Sequence, residues 1–192
     1  AGKSTRFMAP PTRGFRLLRD AVLSLSLSQP FVGPLYHWRT SRPHEYVHSA
    51  LNSVGDDNAL FSAGPAHGAP PRNVCLGPGD YLLDHLDHRF ALLYATSAAA
   101  LPADLQATVD EARQRGLPLQ VIAVGARQPV QGADATLADA DGHLRQRHGL
   151  REGGAYLLRP DQHVCARWMA LDATRLRAAL LNAAGLNKEA TA

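Results

Sequence analysis

Two short apolar runs constrain this chain more than any other feature of it. Arg89-Phe-Ala-Leu-Leu-Tyr-Ala95 and Leu119-Gln-Val-Ile-Ala-Val124 are nearly continuous in apolar residues. Runs of this kind suit strands covered on both faces, whereas a strand with one wet face would alternate. Between them, Pro102 fits the first turn of a helix, and Leu105, Val109 and Ala112 share one helical face. Gly116 supplies a left-handed end and Pro118 forbids continuation. A strand, helix and strand joined in this way cross over right-handed and pair in parallel.

The following residues extend the pattern. Asp141 is expected to cap a short helical piece ending at Arg147. Ala155–Arg159 and His163–Trp168 read as two strands of an antiparallel hairpin, and the Pro160-Asp161-Gln162 between them is a type I turn signal. Asp172 opens a last helix with Leu176, Ala179, Leu180 and Ala183 on one side and Gly185 past its end. The order β-α-β-α-β-β-α predicts an α/β fold of thioredoxin-like arrangement, a small mixed sheet with helices on both faces.

The first part of the chain has a different grammar. Nine of the 13 prolines lie at or before Pro78, so extended or irregular backbone is expected there, without a regular ladder. The exception is Arg13–Ser28, where Phe15, Leu18, Val22 and Leu25 recur at helical spacing, between Pro10-Pro11-Thr12 and Pro30. From Phe31 to Ala69 no period of 2 or 3.6 is sustained. The expected division is a helical and Pro-rich arm over residues 1–72 and a thioredoxin-like domain over 73–192.

Composition narrows the functional classes. A chain of 192 residues, 45% hydrophobic, can bury one core plus an arm. The formal charge of +3 is not gathered into a basic stripe, which argues against nucleic acid as a partner. No apolar run approaches the ~20 residues that cross a bilayer, so no membrane partner is expected. Cys75 and Cys165 are the only cysteines and form no C-x-x-C pair. That excludes a disulfide framework and fits a reducing, cytoplasmic setting.

Four local patterns invite chemistry. His44-Glu45-Tyr46-Val47-His48 fits H-E-x-x-H, which on a helix would let His44 and His48 share a zinc ion while Glu45 polarises its bound water. Pro43 precedes it, however, and Ser49–Asn58 carries no helical stripe. Asp84-His85-Leu86-Asp87-His88 offers four potential ligands in five residues, but at a turn where polar side chains face water. Asp139-Ala-Asp141-Gly142 is a fragment of a calcium loop whose twelfth position would be Leu150, not Glu. Thioredoxin-type redox chemistry needs thiols at the helix after the first strand. That stretch reads Thr96-Ser-Ala-Ala-Ala-Leu-Pro102, and Glu152-Gly153-Gly154 stands where a proline would flank the thiols. Nor is there a G-x-G-x-x-G opening a helix, and Gly2-Lys3-Ser4 lacks the upstream glycine of a phosphate loop.

Several segments taken in order resemble a known family. These are Arg6-Phe-Met-Ala-Pro-Pro-Thr12, Arg16-Leu-Leu-Arg-Asp-Ala-Val-Leu23, Tyr46-Val-His-Ser-Ala-Leu51, Ala63-Gly-Pro65, Gly68-Ala69 and Ala155-Tyr-Leu-Leu-Arg-Pro-Asp-Gln-His-Val-Cys-Ala-Arg-Trp168. Together they are similar to the C-terminal region of FAD-dependent aromatic hydroxylases of the phenol hydroxylase and hydroxyphenylpropionate hydroxylase type, with the last segment closing a thioredoxin-like domain. The resemblance implies a parent flavoprotein monooxygenase, an oxidoreductase using FAD, NAD(P)H and O₂ on an aromatic ring. Its glycine-rich, Asp-Gly and Gly-Asp flavin motifs have no counterpart here, and Gly79-Asp80 falls too late. No catalytic, cofactor-binding or metal residue is therefore carried over, and no cofactor is expected in this chain itself.

The expected role is structural: packing on the N-terminal FAD domain of the same chain, helping two copies associate as a homodimer, or covering the active-site entrance. On this reading Phe15, Leu18, Val22 and Leu25 face that FAD domain. The alternatives are a standalone thioredoxin-like binding module without redox activity and, behind it, a zinc hydrolase at His44, Glu45 and His48.

Overall fold

The computed structural model describes residues 2–32 and 43–186, and the chain forms two compact units, Ala1–His44 and Glu45–Ala192. The first unit contains α1 (Gly2–Met8), α2 (Arg13–Ser26) and a 3-10 turn, Pro30–Val32. Thr12 is extended and its hydroxyl accepts the Phe15 N–H at 3.3 Å, so the Pro-Pro-Thr signal marks a true N-cap. The helix stops at Ser26, two residues short of the expected Ser28, and the Leu27 N–H turns back to the Ser24 carbonyl. Of the expected apolar stripe only Val22 is buried, while Phe15, Leu18 and Leu25 are exposed.

The second unit is built on a mixed sheet. In chain order its elements are the small ribbon β1 (Cys75–Gly77) and β2 (Asp80–Tyr81), then β3 (Phe90–Ala95), α3 (Ala103–Gln114), β4 (Leu119–Val124), β5 (Ala135–Leu137), α4 (His143–His148), β6 (Ala155–Leu158), β7 (Val164–Trp168) and α5 (Ala173–Ala183). The five-stranded sheet runs β5-β4-β3-β6-β7. β3 pairs in parallel with β4 from Phe90↔Leu119 to Ala95↔Val124, and antiparallel with β6. β6 and β7 form the antiparallel hairpin. With β5 set aside this is the predicted thioredoxin-like topology.

Every residue of β3 and β4 is buried, because the two faces of the sheet carry separate cores. Phe90, Leu92 and Tyr94 join Val121 and Ala123 beneath Leu105 and Val109 of α3 and Leu176 and Leu180 of α5. Ala91, Leu93, Ile122 and Val124 face the other way, toward Leu144 of α4 and Val74, Leu82 and Leu86 of the ribbon region. Alternation still operates along each strand, but both sides are apolar, so the sequence shows a run.

Three details depart from expectation. β5 was not legible: it is three residues long, and Asp134 sets it in place by accepting the Val121 N–H at 2.7 Å and pairing with Arg113. The cap of α4 is not Asp141. Gly142 occupies the N-cap at φ 69° without a side-chain bond. Asp139, at φ 39°, sends its buried carboxylate to the N–H groups of Leu144 and Arg145 at 2.8 and 3.0 Å. The hairpin turn closes by Gln162 N–H to the Arg159 carbonyl at 2.8 Å, with Gln162 at φ 60°. The register then shifts between Leu157 and Leu158, leaving Cys165 between the partners Val164 and Ala166 as a bulge.

Residues 45–72, assigned by their proline content to the arm, lie inside the second unit. They close the outer edge of β7. Gly68 N–H donates to the Val164 carbonyl at 2.7 Å, Val164 N–H to the Ala69 carbonyl at 2.9 Å, and Ser53 N–H to the Cys165 carbonyl at 2.7 Å. Pro65, Pro70 and Pro71 cannot donate, so Gly68 and Ala69 between them carry the pairing. Gly68 sits at φ +77°, where a Cβ would meet the Tyr46 carbonyl 2.2 Å away. A chain begun at Glu45 should therefore unfold cooperatively and stay soluble. One begun at Asn73 exposes the β7 edge and is expected to aggregate or melt at markedly lower temperature; paired thermal denaturation and size-exclusion runs check this.

Candidate functional site

In a thioredoxin-like sheet, the turn from the first parallel strand into its helix is where thiol chemistry would be placed. Here the β3–α3 turn carries no thiol. The Ser97 N–H donates to a Glu152 carboxylate oxygen at 2.9 Å, and the Ala98 N–H to the Thr96 hydroxyl at 3.0 Å. Glu152, at the position where a proline would flank thiols, thus ties the turn to the start of β6. Beside it an open depression of about 350 Å³ is lined by Ser97, Ala98, Ala99, Gly125, Arg127 and Gln128. These residues offer a guanidinium, a hydroxyl, an amide and backbone groups, but no nucleophile–base pair.

The densest polar arrangement lies elsewhere, where residues 57–67 meet β6, β7 and the end of α4. Arg167 is buried at 7% exposure. Its Nε donates to the Asn58 side-chain oxygen at 2.7 Å and its Nη1 to the Pro65 carbonyl at 3.0 Å, and its guanidinium lies 4.5 Å over the Phe61 ring. Phe61 packs edge-on to Tyr156, whose hydroxyl donates to the His148 carbonyl at 2.6 Å. Gly64, at φ +94°, fits against this hydroxyl because a Cβ would stand 2.2 Å from it. His148 is fully buried; its Nδ1 faces the Leu144 carbonyl at 3.1 Å, and Nε2 has no protein partner. Burial drives the His148 pKa down to about 4, with the Arg72 charge acting in the same direction. Burial, with Arg167 beside it, also lowers that of His67. All these groups hold position and none is arranged to attack or deliver a proton. Their only sequence trace is a polar residue, Arg167, inside an otherwise apolar strand.

The other sequence candidates do not converge. The backbone over 43–46 is not helical and 47–48 is a turn, so the one-turn spacing that would align His44 and His48 is missing. In the second cluster, Asp84 caps Tyr81, His85 pairs with Asp80 at 2.7 Å, and Asp87 holds Arg89. Asp139 is consumed as the α4 cap while Asp141 is exposed. Among the described residues no three His, Cys, Asp or Glu side chains form a metal-ligating group, and no helix is long and apolar enough to cross a membrane. Cys75 is exposed and Cys165 buried; burial pushes the Cys165 thiol up to about 12.

The starts of α3 and α4 offer no cradle for a flavin pyrophosphate. The β3–α3 turn has no glycine that would let a pyrophosphate approach the backbone. At α4, the Leu144 and Arg145 amides are already taken by Asp139.

No protein-family model matches the chain, and no curated protein matches it by sequence. Solved structures do match. The substrate-free form of the rebeccamycin biosynthetic enzyme RebC aligns over 96% of this chain and 30% of its own, at 19% identity and TM-score 0.53. Aklavinone-11 hydroxylase, in a ternary complex with FAD and aklavinone, aligns over 86% and 33% at 20% identity and TM-score 0.52. The flavin-dependent monooxygenase PieE, in complex with FAD and substrate, aligns over 92% and 30% at 19% identity and TM-score 0.55. The chain therefore has the fold of a part of these FAD-dependent enzymes and spans about a third of their length.

Two outcomes follow from the buried groups. His148 binds its proton more weakly folded than unfolded, so the unfolded state takes up more protons between the ordinary pKa of 6.5 and about 4. Stability is then full above that window and falls as pH drops through it, by about 3 kcal/mol at most. His148→Gln should flatten the dependence of the urea midpoint on pH between 7 and 4. Under native conditions a thiol reagent should label Cys75 alone; in denaturant it should label both cysteines. Rapid native labelling of Cys165 would contradict its burial.

Proposed function

We propose that this chain is the thioredoxin-like C-terminal region of an FAD-dependent aromatic hydroxylase, in which it acts as a structural and association element. The observation that carries the reading is the extent of the match: nearly the whole chain aligns with about a third of RebC and PieE. An aromatic substrate, a nicotinamide donor and O₂ belong, on this reading, to a portion outside the chain. The partner is that flavin-binding portion, and a second copy is compatible with it. The local chemistry supports a non-redox role, since Ser97 and Glu152 occupy the turn where thiols would work. The non-helical backbone around His44 and His48 weighs against a zinc hydrolase, and a standalone module would leave the length of the matching enzymes unexplained.

The test is direct. Codons upstream of Ala1 should continue in frame into a glycine-rich flavin fingerprint. The isolated chain titrated with FAD should show no saturable quenching of flavin fluorescence at micromolar concentrations. Tight FAD binding by these residues, or a start codon immediately before Ala1, would overturn the assignment.

A further inference from the structure

Two buried histidines mark the contacts of the segment that closes the β7 edge. His67 is 5% exposed and immediately precedes Gly68, whose N–H makes that closure. His148 is fully buried at the end of α4, where Ala63 and Gly64 pack. A Cβ on Gly149 would meet the Ala63 carbonyl at 2.9 Å, and one on Gly64 the His148 carbonyl at 2.5 Å. In both rings Nε2 is buried without a protein partner. A neutral imidazole keeps a hydrogen on one nitrogen only, whereas the cation must donate from both. A buried charged donor that finds no acceptor is costly. We propose that residues 45–72 form an acid-released strap: proton uptake at His67 and His148 frees this segment from β7 while the rest of the sheet stays folded.

The groups around the two rings oppose that proton. Facing His67 are Arg167 from β7 and Asp57 and the Ser53 backbone from the segment itself. Facing His148 are Arg72 from the segment, Asp139 from the loop before α4, the Leu144 carbonyl of its own helix and the Tyr156 ring of β6. Both carboxylates are committed elsewhere. Asp57 pairs with Arg175 and accepts the Met169 N–H, and Asp139 holds the Leu144 and Arg145 amides. Burial lowers both imidazole pKa values, to about 4 at His148, and Arg167 and Arg72 act in the same direction. The docked segment therefore binds fewer protons than the released one. Closure is full above the ordinary imidazole value of 6.5 and weakens as pH falls toward about 4. Burial acts to raise the Asp57 pKa, but Arg175 and the Met169 N–H outweigh it and hold the carboxyl below 3.8. Asp57 thus stays ionised while the histidines titrate.

Hydrogen exchange of the 192-residue chain, corrected for intrinsic rates, reads the release at the Ser53 and Gly68 amides, which donate to the Cys165 and Val164 carbonyls. Their protection should fall at least ~10-fold from about pH 7 to about pH 5, while β3 and β4 keep theirs. His67→Gln and His148→Gln should each weaken this dependence, and the double variant should abolish it. A parallel loss in β3 and β4 marks global unfolding and overturns the proposal. So does an undiminished dependence in the double variant, or constant protection in the unsubstituted chain. Should a variant fail to fold, NMR titration of the two imidazoles in the unsubstituted chain decides. Both rings should stay neutral while the Gly68 amide is protected and gain their protons as that protection is lost. A ring that is charged at about pH 5 with Gly68 still protected overturns the strap.

Discussion

A buried guanidinium held by neutral partners is the interaction on which the second unit depends. Arg167 projects from β7 into a cage made by the Asn58 side chain, the Pro65 carbonyl and the Phe61 ring. Such a charge is expensive to bury unless its donors are satisfied, and each partner comes from the segment preceding the sheet. The pairing is therefore mutual. The segment supplies acceptors that β7 lacks, and Arg167 holds the segment where Gly68 and Ala69 close the β7 edge. The adjacent residues Asp57 and Asn58 divide the work, since Asp57 accepts the Met169 N–H and pairs with Arg175 at the far end of β7.

That arrangement shapes what the fold can do. Its polar groups are spent on holding elements together. Asp139 on the α4 amides, Asp134 on β5, Glu152 on the β3–α3 turn and Tyr156 on the end of α4 each satisfy backbone groups that would otherwise be orphaned. The flavin enzymes whose fold this protein shares in part are chains about three times as long.

Much of the sheet was legible because burial on both faces leaves a distinctive trace. Leu119–Val124 is a strand over the expected residues, and the expected Arg89–Ala95 begins one residue later, at Phe90. The last helix is capped by the predicted Asp172, which accepts the Arg175 N–H at 2.8 Å. β5 escaped because three residues carry no period, and its position is set by Asp134 from the neighbouring loop. The α4 cap was misplaced because Asp139 and Asp141 both suit a helix start, and only the left-handed turn through Asp139 decides between them. The polar cluster around Arg167 was invisible for a related reason: Asn58 and Arg167 are 109 residues apart in sequence. The H-E-x-x-H pattern shows the converse, spacing that matches a motif without the helix that would give it meaning.

Local chemistry, then, determined the elements. Apolar runs, Pro and Gly punctuation and an Asp or Thr before a helix act over a few residues and can be read along the chain. Tertiary structure decided where residues 45–72 belong and which carboxylate caps which helix. Those outcomes depend on acceptors and surfaces brought together from distant parts of the chain, and the free energy of satisfying a buried donor has no signature in the residues next to it.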